Sequence, residues 1–270
     1  SLCVGWPVLR DGLKGLRERP SAEAMPALAA AAALFFALML ADISHDLADR
    51  SQNALIVYMF CGAITPVMLL SPLVAAIPFS TGFVRDINSG MAVSMQVRSG
   101  RGRFLRSKIF CCALSGGLAL AIGNILFTLA VNLWFSQDYA GYAQMISDFC
   151  YYDFSAGVTA LGLTGYYASA AALQFMAGAF WALVALAVSA WLPNISLTLC
   201  APLILYRLFE EMAVLEPVWL SPFLLQLGNV GLKTGPTLLA ALGVYGCGGA
   251  LAALIFTLGA RRRLLGGRCT

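Results

Sequence analysis

Apolar residues come in long runs along this chain, and the charged ones gather between them. A bilayer core takes about 20 apolar residues per helix. Runs at 25–41, 54–79, 109–135, 166–192 and 236–260 approach or pass that length, and a shorter one lies at 195–209. The stretch 212–230 is apolar too, but Pro217, Pro222 and Gly228 interrupt it. That pattern predicts a re-entrant or interfacial hairpin of half-helices. Ahead of the first run, Trp6, Val8, Leu9, Leu13 and Leu16 are interspersed with basic residues, which predicts a short interfacial helix under the bilayer, with a frayed tail as the alternative. The predicted fold class is an all-α polytopic membrane protein. It has six transmembrane helices, the N-terminal interfacial helix and the hairpin between the fifth and sixth spans. Residues 1–24 form the cytoplasmic interfacial helix and 25–270 the transmembrane domain, with a cytoplasmic segment at 80–108.

Composition supports this class. Of 270 residues, 60% are hydrophobic and 11% charged, against about a quarter in soluble domains, and mean hydropathy is +0.81. A soluble domain of this size has no interior large enough for so much apolar surface, and a disordered chain has the opposite composition. The net charge of +4 does not mark a nucleic-acid binder, because in a membrane protein the placement of charge matters more than its sum.

Placement is asymmetric. Arg10, Lys14, Arg17 and Arg19 precede the first run. Arg85, Arg98, Arg101, Arg103, Arg106 and Lys108 lie between the second and third, and Arg261, Arg262, Arg263 and Arg268 follow the sixth. With six spans these segments share one side and hold 14 of the 17 basic residues, leaving Arg50, Arg207 and Lys233 opposite. The positive-inside rule then puts both termini in the cytoplasm. A seventh span at 212–230 would move the Arg261–Arg263 cluster outside. The first run starts too late and lacks a small-residue cleavage site, so a cleavable signal peptide is not expected.

Candidate chemistry is sparse. The chain has no G-x-x-x-x-G-K-[ST] phosphate loop, no G-x-S-x-G and no H-E-x-x-H. Eight cysteines occur without a CxxC pair and His45 is the sole histidine, so neither a disulfide framework nor a zinc site is expected. His45 sits near Asp42, Asp46 and Asp49, most simply a solvated loop. The runs hold almost no ionisable residue, which weakens an ion-coupled carrier and an intramembrane hydrolase alike.

The informative segment is PFSTGFVRDINSGMAVSMQVRSGRGRFLRSK, from Pro78 to Lys108. Phe83, Ile87, Met91 and Met95 recur every four residues, which predicts one amphipathic helix over 83–96. Gly100 and Gly102 then break it in a basic turn from Arg98 to Arg103, and Arg106 and Lys108 enter the third run where they can snorkel to phosphate level. One reading is a loop gripping anionic membrane lipid. The other is a helix presented to a cytosolic protein.

This order resembles the permease subunits of ABC exporters of the second type. Their segment between spans two and three carries an aromatic residue, an acidic residue, a glycine, a basic turn and a lysine at the head of span three. Here those are Phe83, Asp86, Gly90, Arg98 with Arg101 and Arg103, and Lys108; the family more often has Glu at the acidic position. The resemblance implies a plasma-membrane exporter subunit, as in a bacterial inner membrane. It implies pairing with a second permease subunit, same or related, and coupling through Phe83, Asp86, Ile87, Met91 and Met95 to separate cytosolic ABC ATPase subunits. ATP and Mg would be bound by those partners, with no cofactor, metal or catalytic residue on this chain.

Polar residues in the spans are candidates for a substrate path. Asn124, Thr128 and Asn132, spaced by four, share one face of span three, and Gln174 sits in span four. Interhelical hydrogen bonding is the plainer reading. Gly246, Gly248 and Gly249 are each followed four residues on by Ala, a spacing that lets helices approach closely. The outer loop 136–165 carries acidic and aromatic residues and reads as an interfacial belt or a gate. Arg207 and Glu211 are spaced to pair. Asn194 opens an N-x-S sequon in a tight turn on the cytoplasmic side, an accidental match. An ion-coupled carrier, a membrane scaffold or assembly factor and a lipid-modifying enzyme are the competing readings.

Overall fold

The computed structural model describes residues 21–44, 53–61, 67–135, 152–214, 221–227 and 237–266. The described residues are helical, with no strand apart from an isolated bridge at Asn53. The helices are α1 (Ser21–Asp42), α2 (Ala54–Phe60), α3 (Val67–Ala76), α4 (Gly82–Asn88), α5 (Met91–Ser99), α6 (Arg101–Trp134), α7 (Tyr152–Trp191), α8 (Ile195–Val214), α9 (Pro222–Leu227) and α10 (Thr237–Gly266). Among the described residues, four stretches are long and apolar enough to cross a membrane: Met25–Asp42, Arg101–Trp134, Gly162–Trp191 and Ala241–Leu264. They correspond to the first, third, fourth and sixth predicted runs.

The other two runs take different forms. The second was expected as one helix over 54–79, and it is instead two short helices, α2 and α3. Asn53 caps the first by accepting the Leu55 amide at 2.9 Å. Gly62 and Pro66 fall between them, and a proline offers no N–H to continue the ladder. The fifth run is one helix, α8, of 20 residues, but its last two turns carry Arg207, Glu210 and Glu211. Asn194 caps it, accepting the Ser196 amide at 2.9 Å, so the sequon asparagine works as a helix cap. Of the predicted hairpin, α9 is described, and Leu225 and Gln226 within it are buried. The N-terminal residues up to Pro20 and the interfacial helix expected there, His45 with Asp46 and Asp49, and the charged and aromatic residues of the outer loop up to Tyr151 lie outside the described residues, whereas Asp42 ends α1 and is buried.

Helices α6 and α7 form the centre. Of their crossing-length stretches, 50% and 56% are buried, against 28% in α1 and in α10. Two glycines make the α6–α7 contact possible. A Cβ on Gly116 would lie 2.8 Å from the Gly178 carbonyl oxygen and 2.9 Å from that of Ala75 in α3. A Cβ on Gly178 would meet the Gly116 carbonyl oxygen at 2.4 Å. Three backbones therefore converge where only hydrogen side chains fit, the close packing on which helix association in lipid depends.

The outer faces are apolar. Ile125, Leu129 and Leu133 on α6, Ile204 and Leu208 on α8, and Leu251, Leu254 and Leu258 on α10 are all exposed. In water such a surface would exceed what a monomer tolerates; against lipid tails it is at no disadvantage. At one end of the bundle lie the start of α6 and the ends of α7 and α10. There Arg263 donates to the Trp191 carbonyl, and the Trp191 indole N–H donates to the Ile255 carbonyl at 3.4 Å. The arginines of the α5–α6 junction and of the α10 tail thus gather at the same end.

Candidate functional site

The segment between α3 and α6 sits at this basic end and folds as an elbow. Helix α4 stops after seven residues, when Ser89 N–H donates to the Arg85 carbonyl and Gly90 N–H to that of Ile87. Gly90 has φ +69°, a left-handed conformation that costs other residues about 1–2 kcal/mol. Helix α5 then runs to Ser99, and Gly100, at φ +78°, turns the chain into α6. The single helix expected over 83–96 is therefore corrected to two. The four-residue spacing is real, but Phe83 and Ile87 belong to one helix and Met91 and Met95 to the other.

The stripe divides by burial. Phe83 is fully buried, its ring edge-on to Phe256 of α10 with centroids 4.9 Å apart. Ile87 and Met95 pack on the same cluster, which includes Phe104 and Leu105 of α6 and Leu186 of α7. These three hold the elbow to its own bundle. Met91, one turn before Met95 at the start of α5, is 43% exposed, and Val97 is 80% exposed.

Asp86 also faces inward. Its carboxylate lies 2.6 Å from the Lys108 ammonium, with both side chains mostly covered. The same ammonium sits 5.3 Å from the centre of the Phe79 ring and 5.8 Å from that of Phe104, within cation–π range. So the acidic residue of the motif and its terminal lysine form one internal tie between α4 and α6. Arg98, Arg103 and Arg106 are exposed and Arg101 half-buried; Arg106 Nε donates to the Gly102 carbonyl at 3.3 Å.

The polar residues of the spans are engaged with the protein. Asn124 is buried and accepts the Tyr58 hydroxyl at 3.1 Å, seating α2 on α6. Thr128 donates back to the Asn124 carbonyl at 2.9 Å and Asn132 to the Thr128 carbonyl at 2.8 Å, both along their own helix. Gln174 joins a buried network. It accepts the Gln226 amide at 2.8 Å and donates to the Gln226 carbonyl at 3.4 Å. Ser71 of α3 donates to the Gln226 side-chain oxygen at 3.0 Å. At the entry to α9, Ser221 donates to Glu210 of α8 at 2.9 Å. Helix α9 is thus held by three neighbours through side chains.

Sequence reasoning missed Ser71, Gln226 and Glu210 as partners. The signal was present: Ser71 and Gln226 are lone polar residues in apolar stretches, and a polar group in lipid requires a partner. The sequence does not reveal which lone group meets which. The glycines show the same limit. Of the three noted in the sixth run, only Gly248 is tightly approached, with a Cβ landing 2.7 Å from the Phe180 ring. Gly249 makes ordinary contact and Gly246 faces open space.

Among the described residues no group of three or more His, Cys, Asp and Glu side chains comes together to hold a metal. Compared with known proteins, the chain matches no family model, no curated protein and no solved structure.

Proposed function

We propose that this chain is the membrane-spanning subunit of an ATP-driven exporter, of the kind its 80–108 segment resembles. In this reading it crosses the plasma membrane six times, with α2–α3 as a broken second span and α8 as a short fifth. Helix α9 belongs to a re-entrant hairpin on the outer side, and the basic end faces the cytoplasm. A second permease subunit completes the translocation path, and cytosolic ABC ATPase subunits supply the energy.

One observation carries the proposal. The α4–α5 elbow is fastened to the bundle by Phe83, Ile87, Met95 and the Asp86–Lys108 pair, while Met91, Ser94 and Val97 are exposed among arginines. A partner pushing on the exposed face would move α6 and α10 through those fastenings. A loop that only grips lipid has no need of such a tie. ATP turnover tests the reading. The purified chain, lacking a phosphate loop, hydrolyses no ATP; with its co-purified ATPase in liposomes, turnover rises. Turnover by the chain itself, or no response of the ATPase to it, would overturn the proposal.

A further inference from the structure

Helix α8 turns one face to the bundle and another outward. Thr198, Pro202 and Tyr206 are buried, whereas Leu197, Cys200, Ile204, Arg207, Leu208 and Glu211 are exposed. The exposed positions 197, 200, 204, 207 and 211 are spaced alternately by three and four, so they form one seam along the helix. The chain carries no charge between Ile109 and Trp134 on α6 or between Ala241 and Ala260 on α10. The seam of α8 carries one charge of each sign. Among the described residues an ion pair joins Asp86 to Lys108, and none joins Arg207 to Glu211, although these two are spaced to meet.

Arg207 lies well inside α8, about 18 Å along the axis from Ile195, with the exposed Ile204 and Leu208 beside it. A charged side chain on a lipid-facing surface at that depth is costly, and such residues pair with other groups. A lipid phosphate would take Arg207 but would face the Glu211 carboxylate with like charge. A second copy of this chain answers both residues. Two copies inserted the same way are related by a two-fold axis along the membrane normal, so their α8 helices run parallel and equal positions lie at equal depth. Glu211 of the second copy then lies about 6 Å further along than Arg207, within reach of an arginine side chain, and the exchange is reciprocal.

We propose that α8 is the contact helix of a homodimer, in which Arg207 of each copy pairs with Glu211 of the other, Ile204 and Leu208 pack across the axis, and Cys200 faces its own counterpart. The proposal rests on the six-span reading, in which α8 crosses the membrane. It makes the second permease subunit another copy of this chain.

The native Cys200, exposed on the seam, reports the geometry. In membranes of cells expressing the full chain, oxidation with copper phenanthroline joins two chains through a disulfide and gives a reducible band at twice the 28.7 kDa chain mass. The band is lost in Cys200→Ser and kept in Cys247→Ser, whose cysteine is exposed on α10. Arg207→Glu and Glu211→Arg each set like charges against one another in a homodimer and lose most of the band. Co-expressed under different tags, the two variants restore both pairs, and the band returns between the tags. Pairing within one helix cannot produce that recovery. A band that survives Cys200→Ser, no band in wild type, or a mixture as weak as its two components overturns the proposal. ATPase co-purification from the same membranes separates this contact from the exporter reading. ATPase retained without a Cys200 band removes the α8 contact alone; a band that behaves as expected without ATPase removes the exporter reading alone.

Discussion

At the scale of single residues, the fold depends on where side chains are missing. Gly116 and Gly178 let α6 and α7 touch backbone to backbone, and the Ala75 carbonyl closes on the same point. Gly178→Ala must push the helices apart, an overpacking that costs about 1–3 kcal/mol. The expected result is a lower melting temperature for the purified protein. Gly246→Ala, with nothing within 4 Å of the added carbon, leaves it unchanged. Equal melting of the two variants would show that the crossing is not tight. The sequence displays both glycines in similar apolar surroundings. It marks the sixth run as glycine-rich but gives no means of telling which glycine faces a neighbour, because the hydrophobic pattern is apolar all round. The same holds for the amide network. Gln174 and Gln226 are visible in the sequence, and their pairing across 52 residues is a product of tertiary structure. Gln226→Leu leaves the buried Gln174 side-chain oxygen without its donor, a cost of about 1–3 kcal/mol, while Ser71 keeps its bond to the Met68 carbonyl. Removing both amides should cost less than the sum of the two single changes. Additive losses in a double-mutant cycle, read by thermal unfolding, would contradict the network.

Among the elements, the long helices were the most legible. Arg101–Trp134, Gly162–Trp191 and Ala241–Leu264 each carry an apolar run of crossing length, and Gly100 and Gly162 mark where the backbone leaves helical values. The run at 54–79 misled because hydropathy alone does not report backbone continuity, and the first helix ends at Cys61, whose ψ of 128° is not helical. The α4–α5 elbow misled differently. A spacing of four persists across Gly90 by coincidence of register, while the left-handed glycine redirects the chain. Its consequence is a division of roles within one predicted stripe. Phe83→Ala opens a cavity under α4 and should cost about 3–5 kcal/mol of stability. Met91→Ala, half-exposed, should leave the melting temperature within error. If Phe83→Ala melted like wild type, the elbow would not be fastened as described.

For the whole molecule, the exposed apolar faces and the single basic end define an object that lies across a membrane. In the proposed six-span reading, the Arg98–Lys108 cluster and the Arg261–Arg263 tail lie on one side. Arg103→Cys, exposed at the start of α6, should be protected from an impermeant thiol reagent in intact cells. Leu133→Cys, at the other end of α6, should react. The reverse pattern would invert the topology. The central claim is that the exposed side of the elbow is where a cytosolic ATPase docks, and one measurement addresses it most directly: the amount of ATPase that co-purifies with wild type and with Met91→Ala. Truncating an apolar anchor at the centre of a helix-in-groove contact costs about 2 kcal/mol, roughly a thirtyfold loss of affinity. The expected result is an ATPase bound to the wild-type chain and largely lost from Met91→Ala, at unchanged melting temperature. An ATPase retained equally by both, or found with neither, would contradict the claim.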